Sequence, residues 1–387
     1  MDVAARTGKL RELFEENFTA FGELGASVSI WSEGEEVVSW GEGFADRQKT
    51  VPWTAETPVL IWSATKALAA GTLLAVLEGE DVELDRRVAD FWPEFAEAGK
   101  GEITVAQILS HQAGLPGLLD PSISVFDHEA VCRELAAQAP MWLPGSQHGY
   151  HTRTFGFLLD ELVRRLTGQP LGTIWRTAFG DPLNLNLWIG LPTDRLDAVA
   201  SVFPARNPGG LPDTPFWRAI ADPQSFTKIA FSTPSGLASV ASMNTPEARQ
   251  ASLPAIGGIG TARALGKWYA MLANGGEMDG RSYLSPDSLA QMSRVLTQGN
   301  DVVSLEYTAF SCGFMLDPIS DSREKLRHLF GPSKRAFGHP GAGGSHAFAD
   351  PENRISFAYV MNQMELGIFP NAKSLRLVDA LYQICSN

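Results

Sequence analysis

Apolar and polar positions repeat with different periods in successive parts of the chain. Near the start, apolar residues recur at helical spacing and predict an amphipathic helix whose apolar face comprises Leu10, Leu13, Phe14 and Phe18. Two short β-rich runs follow at residues 26–31 and 37–40, and the turn residues between them predict a hairpin. The next stretch, at about residues 64–77, is apolar on most sides, which is typical of a buried helix.

The pattern beyond this helix is helical and rich in loops for well over a hundred residues. Thr104 and Gln107 have the spacing of a capping box and predict the start of a short helix. A strongly amphipathic helix is expected from near Thr154, with Gly168 just beyond its end. Residues 192–254 are rich in Pro, Ser, Thr and Asn and show little periodicity. We therefore expect long loops there, over a surface or around a pocket.

The last part of the chain returns to strands set between helices. Thr261 and Ser285 each stand where they would cap a helix. The other elements predicted in this part are strands at residues 310–316, 345–350 and 355–361 and a final helix at about residues 371–384.

Strands near both chain ends, with helices between them, predict an α/β (α+β) fold. In this fold one antiparallel sheet is built from both ends of the chain and is flanked by helices. We expect residues 1–80 and 255–387 to form this sheet domain, and residues 81–254 to form an inserted, mainly helical and loop-rich domain.

Composition narrows the class of protein. The 387 residues are 44% hydrophobic and 19% charged, which is enough apolar material for a sizeable core. A net charge of −13 argues against nucleic acid as a partner. The most apolar segment, residues 67–77, is too short to cross a bilayer, so we expect no membrane association. A homo-oligomer is compatible with the sequence.

The cysteines indicate a compartment. Cys132, Cys312 and Cys385 are widely separated, odd in number and form no CxxC pair. They favour a reducing environment over a disulfide framework. We therefore expect a cytoplasmic protein.

The candidate nucleophile has to be chosen by its context. No serine stands in the GxSxG pattern of a nucleophile elbow. The alternative SxxK pattern occurs three times, at Ser63–Lys66, Ser225–Lys228 and Ser322–Lys325. The second copy lies in the Pro-rich region and the third in a charged stretch, so a solvated surface is expected for both. Ser63 instead stands where a β-rich segment meets the long apolar helix.

Lys66 follows Ser63 by three residues, so the two side chains share one face of a helix. The apolar neighbours, Trp62 among them, would desolvate the ammonium group and lower its pKa, as a proton acceptor near neutral pH requires. The helix N-terminus would also direct the Ser63 N–H toward a developing oxyanion. The structural alternative is a lysine that merely caps the helix or pairs with an acid.

Two further segments are candidates for the same site. Tyr150 stands in a polar loop at the entry of a predicted helix, where a side chain reaches a cleft. Its hydroxyl needs a neighbouring cation to act as a base, and Lys66 could supply it. The glycine-rich stretch at residues 339–345 permits close backbone approach to a ligand, and a bulge or tight bend is the equal alternative.

Three histidines raise the question of a metal site. His148 and His151 are three residues apart, and His111 falls in a loop of the same region. No acidic partner stands at ligand spacing and no HExxH pattern is present. We expect neither a metal nor a cofactor.

In chain order, Ser63-x-x-Lys66, Tyr150-His-Thr152 and His339-Pro-Gly341 resemble the three-motif signature of the serine β-lactamase and penicillin-binding-protein superfamily. The sequence is most similar to the class C-like variant and, within it, to the family VIII carboxylesterases. Segments that support this resemblance, which covers nearly the whole chain, are residues 103–116, 142–145, 257–261, 337–344 and 348–351. It implies an active site between a sheet lobe and a helical lobe.

The resemblance also implies roles. Ser63 would attack an acyl carbon, Lys66 and Tyr150 would take and relay its proton, and water would hydrolyse the acyl-enzyme. Which of the two is the base stays open. The oxyanion donors would be the N–H groups of Ser63 and of Ala342, next to Gly341.

Two departures from the β-lactamase pattern bear on the substrate. Thr152 replaces an asparagine, so one amide hydrogen bond to substrate is missing. His339 stands where a lysine would hold a substrate carboxylate, and a histidine does so less well. Both departures favour esters over antibiotics. Tryptophans near the motifs, Trp62 among them, suggest an aromatic-walled acyl or alcohol pocket, although core packing explains most of the tryptophans.

We therefore expect a carboxylesterase acting on small-molecule esters, small or aromatic, with weak β-lactam hydrolysis as a side activity. The alternatives on the same fold are a β-lactamase, a D-amino acid peptidase and an acyltransferase. The alternative from another class is a non-catalytic, ligand-sensing homologue.

Overall fold

The computed structural model describes residues 7–206 and 209–385. The strands are β1 Gly25–Ser32, β2 Glu35–Gly43, β3 Val59–Leu60, β4 Leu187–Ile189, β5 Gly258–Gly260, β6 Glu277–Met278, β7 Arg281–Ser282, β8 Thr297–Asn300, β9 Tyr307–Phe310, β10 Met315–Leu316, β11 Phe337–Pro340, β12 His346–Asp350 and β13 Ile355–Met361. The helices are α1 Gly8–Thr19, α2 Thr65–Gly79, α3 Val105–Leu109, α4 His128–Ala137, α5 Thr154–Thr167, α6 Leu171–Trp175, α7 Pro215–Ala221, α8 Phe226–Ser232, α9 Pro246–Gln250, α10 Ala262–Ala273, α11 Pro286–Ser293 and α12 Ala372–Cys385.

One eight-stranded antiparallel sheet joins the two ends of the chain, in the order β2-β1-β13-β12-β11-β10-β9-β8. The joining pair is β1 with β13, whose register runs from Ala26 opposite Met361 to Ser32 opposite Ile355. A smaller sheet, β3-β5-β4, lies where the chain approaches α2. The predicted fold class, an antiparallel sheet flanked by helices, is confirmed.

Helices cover both faces of the large sheet. Successive residues of a strand point to opposite faces, so the residues of one strand contact helices on both sides. On one face, the Ser356 hydroxyl of β13 donates to the Gly266 carbonyl of α10 (2.8 Å). On the other, the Tyr359 ring of the same strand packs edge-on against Phe14 of α1. α12 packs beside α1 and completes this layer.

The remaining helices form a second body of structure around α2. α2 is buried along most of its length and packs against α5 and α6. α3 to α9 fall within residues 105–250, whereas the large sheet uses only residues 25–43 and 297–361. The division of the chain into two domains near residues 80 and 255 stays a prediction.

The strand predicted at residues 310–316 is wrong in detail. β9 and β10 form a hairpin there, with Phe310 opposite Met315. The turn depends on Gly313, whose φ is 86° and whose Cβ, if present, would lie 2.3 Å from the Ala70 Cβ of α2. Only glycine combines that backbone conformation with so close a contact.

The expectation of long loops at residues 192–254 is also wrong in part, because α7, α8 and α9 lie there. Each begins after a capping residue, Thr214, Ser225 or Thr245, whose hydroxyl accepts a backbone N–H of the first turn. The helices have 7, 7 and 5 residues, too few to show a hydrophobic period. No helix in the described ranges is both long and apolar enough to cross a membrane.

Candidate active site

Ser63 lies in a sharp turn between β3 and α2. Trp62–Ala64 form one turn of 3₁₀ helix, which continues directly into α2. Trp62 has a φ of 52°, a left-handed conformation that a bulky residue rarely adopts. The Thr65 hydroxyl holds this turn, since it donates to the Trp62 carbonyl (2.5 Å) and accepts the Gly258 N–H (2.8 Å). Ser63 itself is half-buried.

Lys66 is fully buried in the first turn of α2. Its Nζ donates to the carbonyls of Thr152 (2.8 Å) and Ala255 (3.0 Å) and lies 3.5 Å from the Ser63 Oγ. Desolvation by burial lowers the Lys66 pKa well below 10.5. Within the described residues these partners are backbone carbonyls and a hydroxyl, so Lys66 pairs with no carboxylate. The alternative in which Lys66 forms an ion pair with an acidic side chain is therefore excluded for the described residues.

Tyr150 is the third side chain at the site of Ser63 and Lys66. Its side chain is close enough to that of Ser63 to interact with it, and the Lys66 Nζ lies 4.7 Å from the centre of the Tyr150 ring. Burial raises the pKa of Tyr150 above its ordinary value. The phenol is thus protonated over the physiological pH range.

Asp301 fixes the backbone of this segment and is missing from the predicted site. Its buried carboxylate accepts the N–H of Tyr150 (3.1 Å), and the same oxygen accepts those of Val303 and Ser304 (both 2.8 Å). Burial raises the Asp301 pKa. The interaction joins residues 151 apart in sequence, so no local pattern could have pointed to it.

The glycine-rich stretch reaches Ser63 through Gly341, at the end of β11. A Cβ on Gly341 would lie 2.3 Å from the Ile61 carbonyl oxygen, two residues before the candidate nucleophile. The Gly341 N–H donates to Ser345 (2.7 Å), which closes the turn that follows. Ala342 opens this turn and is only half-buried. The backbone at Gly341 therefore packs directly against the backbone of the segment that leads to Ser63.

His339 of β11 is buried, with its ring centre 5.9 Å from that of Tyr150. Nδ1 contacts the Pro340 carbonyl (2.8 Å), which assigns the ring proton to Nδ1. Desolvation, reinforced by the charge of Lys66, lowers the His339 pKa to about 3. The ring is neutral and offers a substrate carboxylate no charge.

Several side-chain atoms at the site are buried without a hydrogen-bond partner among the described residues. They include the His339 Nε2, the Thr152 Oγ1, the Trp62 Nε1 and the Ser304 Oγ. Buried polar atoms are rarely left unpaired, so atoms of this kind are candidates for contact with a ligand. Thr152 thus contributes two groups to the site: its unpaired hydroxyl, and its backbone carbonyl, which accepts a hydrogen bond from Lys66.

A small cavity adjoins Tyr150 and His339. Its volume of about 10 Å³ is the space of about one water molecule. The apolar part of its wall comprises Phe310, Met315, Pro340, Ile368 and Phe369. A small apolar group, such as a short acyl chain, fits this place better than a polar or extended one.

The other two SxxK copies have structural roles. The Ser225 hydroxyl caps α8 by accepting the Lys228 N–H (2.9 Å). Ser322 is exposed as expected, but Lys325 is not solvated. Its buried Nζ pairs with Asp317 (2.7 Å) and donates to two backbone carbonyls. The sequence missed this burial because the partner lies outside the charged stretch.

The histidines considered for a metal site are held by other groups. The His148 ring lies between the hydroxyls of Thr297 and Thr308. His151 contacts the Gly149 carbonyl and accepts the Leu115 N–H. His111 packs among the aromatic rings beside Tyr150. Their role is to pack and orient the loop that carries Tyr150.

Comparison with known proteins defines the class. A sequence model of the Beta-lactamase family matches residues 14–380. The chain is 32% identical over 348 residues to the Esterase/beta-lactamase LipL of Mycobacterium tuberculosis, which covers 88% of this chain and 77% of that protein. Among solved structures, a penicillin-binding-protein homologue from Caulobacter crescentus is 38% identical with a TM-score of 0.87, covering 99% of this chain and 98% of that one. A family VIII carboxylesterase is 35% identical with a TM-score of 0.86, covering 97% and 96%.

These likenesses, which extend over nearly the whole chain, define a serine hydrolase with the β-lactamase fold. The chain belongs to the Beta-lactamase family. The resemblance predicted from the three motifs, to this superfamily and to its family VIII carboxylesterases, is confirmed.

Proposed function

We propose that this protein is a carboxylesterase for esters with short acyl chains and small or aromatic alcohol groups, acting through an acyl-enzyme on Ser63. The observation that carries the proposal is the contact of one hydroxyl with two buried proton-handling groups. The Lys66 Nζ lies 3.5 Å from the Ser63 Oγ, and the side chain of Tyr150 interacts with that of Ser63.

The surroundings of Lys66 support its role as the base. Two backbone carbonyls accept two of its N–H groups, so a neutral amine directs its lone pair along the third direction, toward the Ser63 Oγ. Tyr150 has the raised pKa of a buried phenol and starts the reaction protonated. Lys66 thus acts as the general base and Tyr150 as the general acid.

The reaction then proceeds in two balanced steps. Ser63 forms a bond to the acyl carbon, its proton passes to Lys66, and Tyr150 protonates the departing alcohol oxygen before Lys66 returns a proton to Tyr150. Water next attacks the acyl-enzyme, gives one proton along the same path, and Ser63 leaves as a hydroxyl. Oxyanion stabilisation by the N–H groups of Ser63 and Ala342 is part of the proposal.

Two features support ester over β-lactam as the substrate. His339 is neutral and Thr152 carries no amide, so neither supplies the contacts that hold an antibiotic carboxylate or amide. The cavity beside Tyr150 has a mostly apolar wall and has room only for a small group. The relatives include an esterase named also as a β-lactamase and a family VIII carboxylesterase, so slow β-lactam turnover is part of the proposal.

The test is a comparison of serine variants. Ser63→Ala is expected to abolish hydrolysis of p-nitrophenyl acetate, whereas Ser322→Ala, in an exposed copy of the same pattern, keeps full activity. Nitrocefin and D-amino acid amides are assayed alongside the ester. Full ester hydrolysis by Ser63→Ala refutes the proposal. If the wild-type protein hydrolyses nitrocefin faster than the ester, the protein is a β-lactamase and the proposal of a carboxylesterase is wrong.

The state of the cysteines indicates the cellular compartment of the protein. Cys132, Cys312 and Cys385 are free thiols, and the first two are buried. Free, separated thiols are typical of a reducing compartment, which supports a cytoplasmic protein. Whether the chain forms a homo-oligomer is measured by light scattering during gel filtration.

A further inference from the structure

His128, Cys132 and Glu161 form a cluster on two helices that takes no part in the proposed mechanism. His128 and Cys132 are four residues apart on α4, and Glu161 faces them from α5. Their potential ligand atoms lie within 4.8 Å of one another. The His128 Nε2 is 3.2 Å from the Glu161 Oε2 and 3.4 Å from the Cys132 Sγ.

These separations are near the edges of a zinc tetrahedron. With metal–ligand bonds of about 2.1 Å to N and O and about 2.3 Å to S, tetrahedral angles place N and O about 3.4 Å apart and N and S about 3.6 Å apart. The two observed separations are each about 0.2 Å shorter. The third separation, from the Glu161 oxygen to the Cys132 Sγ, is within 4.8 Å.

A carboxylate behind the histidine supplies a second, independent indication. The His128 Nδ1 lies 3.3 Å from the Oδ2 of Asp160, which is buried. A metal-binding histidine usually donates its other ring N–H to such a carboxylate, which fixes the tautomer with the free nitrogen toward the metal. Asp160 is fixed in turn by Arg164 (3.0 Å) and by the Leu171 N–H (2.6 Å).

The carboxylate of Glu161 directs one oxygen toward the cluster. Its Oε1 pairs with the Arg165 Nε at 2.7 Å, and its Oε2 faces His128. Cys132 is buried, while His128 and Glu161 stand at the wall of a surface groove that also includes Trp92 and Glu94. The groove provides an entry path and room for water as a fourth ligand.

We propose that His128, Cys132 and Glu161 bind one Zn²⁺, with water completing the tetrahedron. The Cys132 Sγ–H proton is released to solvent as the Zn–S bond forms, and the proton shared between the His128 Nε2 and Glu161 is released likewise. The two negative ligands balance the charge of the ion. The bound ion ties α4 to α5, so its effect is to stabilise the fold.

The experiment uses untagged, chelator-treated protein titrated with Zn²⁺ and, separately, with Co²⁺. The melting temperature is expected to rise by about 3 °C or more when free Zn²⁺ exceeds its dissociation constant 100-fold. Co²⁺ is expected to give the near-ultraviolet absorption of a thiolate–cobalt bond, with one equivalent bound. Cys385→Ser, which removes a thiol outside the cluster, keeps both responses.

Cys132→Ser and Glu161→Gln test the ligands from two sides of the cluster. Both are expected to lose the zinc-dependent rise in melting temperature, and Cys132→Ser also loses the thiolate absorption. If Cys132→Ser fails to fold, Glu161→Gln decides, because its side chain stands at the groove wall. Absence of the cobalt–thiolate absorption in the wild-type protein, or an undiminished zinc response in Glu161→Gln, overturns the proposal.

Discussion

At the scale of single residues, burial decides what Lys66 does. Water does not reach its amine, and desolvation lowers the pKa well below 10.5. The folded-state pKa is depressed, so the neutral amine is present above that pKa and lost as the pH falls through it. Ester hydrolysis that needs a neutral Lys66 is therefore retained on the alkaline side and lost on the acid side.

The pH profile and a charge-preserving variant test this role together. The wild-type kcat/KM is expected to rise with pH and to level off above the Lys66 pKa. In Lys66→Arg the guanidinium stays protonated, and kcat/KM is expected to fall by roughly 10²- to 10⁴-fold. Lys228→Arg, in the second SxxK copy, is the control and keeps the wild-type profile. A Lys66→Arg enzyme with more than about a tenth of wild-type activity contradicts the role of Lys66 as the base.

The sequence predicts the side chains of the site but not the atoms that hold them. Ser63 and Lys66 stand out because one of three SxxK copies coincides with a helix start, and Tyr150 stands out because it lies in a loop at a helix entry. The partners of Lys66 are backbone carbonyls of Thr152 and Ala255, 86 and 189 residues away. Any residue supplies a carbonyl, so no residue type in the sequence marks these contacts.

At the scale of elements, the contact between β11 and the turn before α2 sets the geometry of the site. A Cβ at Gly341 would lie 2.3 Å from the Ile61 oxygen, and neither backbone has room to move without shifting Ser63. Displacement of a reacting group by about 1 Å lowers a rate by about 10²-fold. Gly341→Ala is therefore expected to lower kcat by about that factor, and to lower the melting temperature as well.

The matched control for Gly341→Ala is Gly79→Ala, at the end of α2. A Cβ on Gly79 meets nothing within 4 Å, so the substitution leaves kcat unchanged. Its helical position makes alanine neutral or stabilising, by up to about 1 kcal/mol. Steady-state kinetics and thermal unfolding distinguish the two variants. Equal kcat values for Gly341→Ala and the wild type contradict the account of this contact.

Secondary-structure elements are predicted correctly where the apolar period extends over enough residues. They are predicted wrongly where tertiary packing determines the structure. The hairpin β1–β2, the buried α2 and the amphipathic α5 follow from the pattern of apolar positions. The β9–β10 turn depends on a contact between Gly313 and α2, which the local sequence does not contain. The zinc cluster was missed for the same reason: Glu161 lies 33 residues from His128.

At the scale of the whole molecule, the fold brings three distant segments to one place. Ser63 and Lys66 come from the turn before α2 and the first turn of α2, Tyr150 from the loop before α5, and Gly341 from the position directly after β11. The family resemblance implied the antiparallel sheet and an active site between a sheet lobe and a helical lobe. Which polar atoms stay unpaired in the cleft, and how small the adjoining cavity is, required the structure.

The size of that cavity predicts the preference for acyl chains. Ile368 forms part of its wall and is half-buried. Ile368→Ala is expected to raise the ratio of kcat/KM for butyrate over acetate esters by about 10-fold, because one or two methylene groups gain room. Leu119→Ala, at a leucine that is 57% exposed, is the control and leaves the ratio unchanged. An unchanged ratio in Ile368→Ala means that the acyl group binds elsewhere.

The central claim, an acyl-enzyme on Ser63, is tested most directly by intact mass spectrometry of protein quenched within seconds of mixing with a nitrophenyl butyrate ester. The account predicts one added butyryl group, mapped to the peptide that contains Ser63 and absent from Ser63→Ala. Prolonged incubation without ester is expected to remove the group by hydrolysis. An adduct mapped to another residue, or ester turnover at the wild-type rate by Ser63→Ala, contradicts the account.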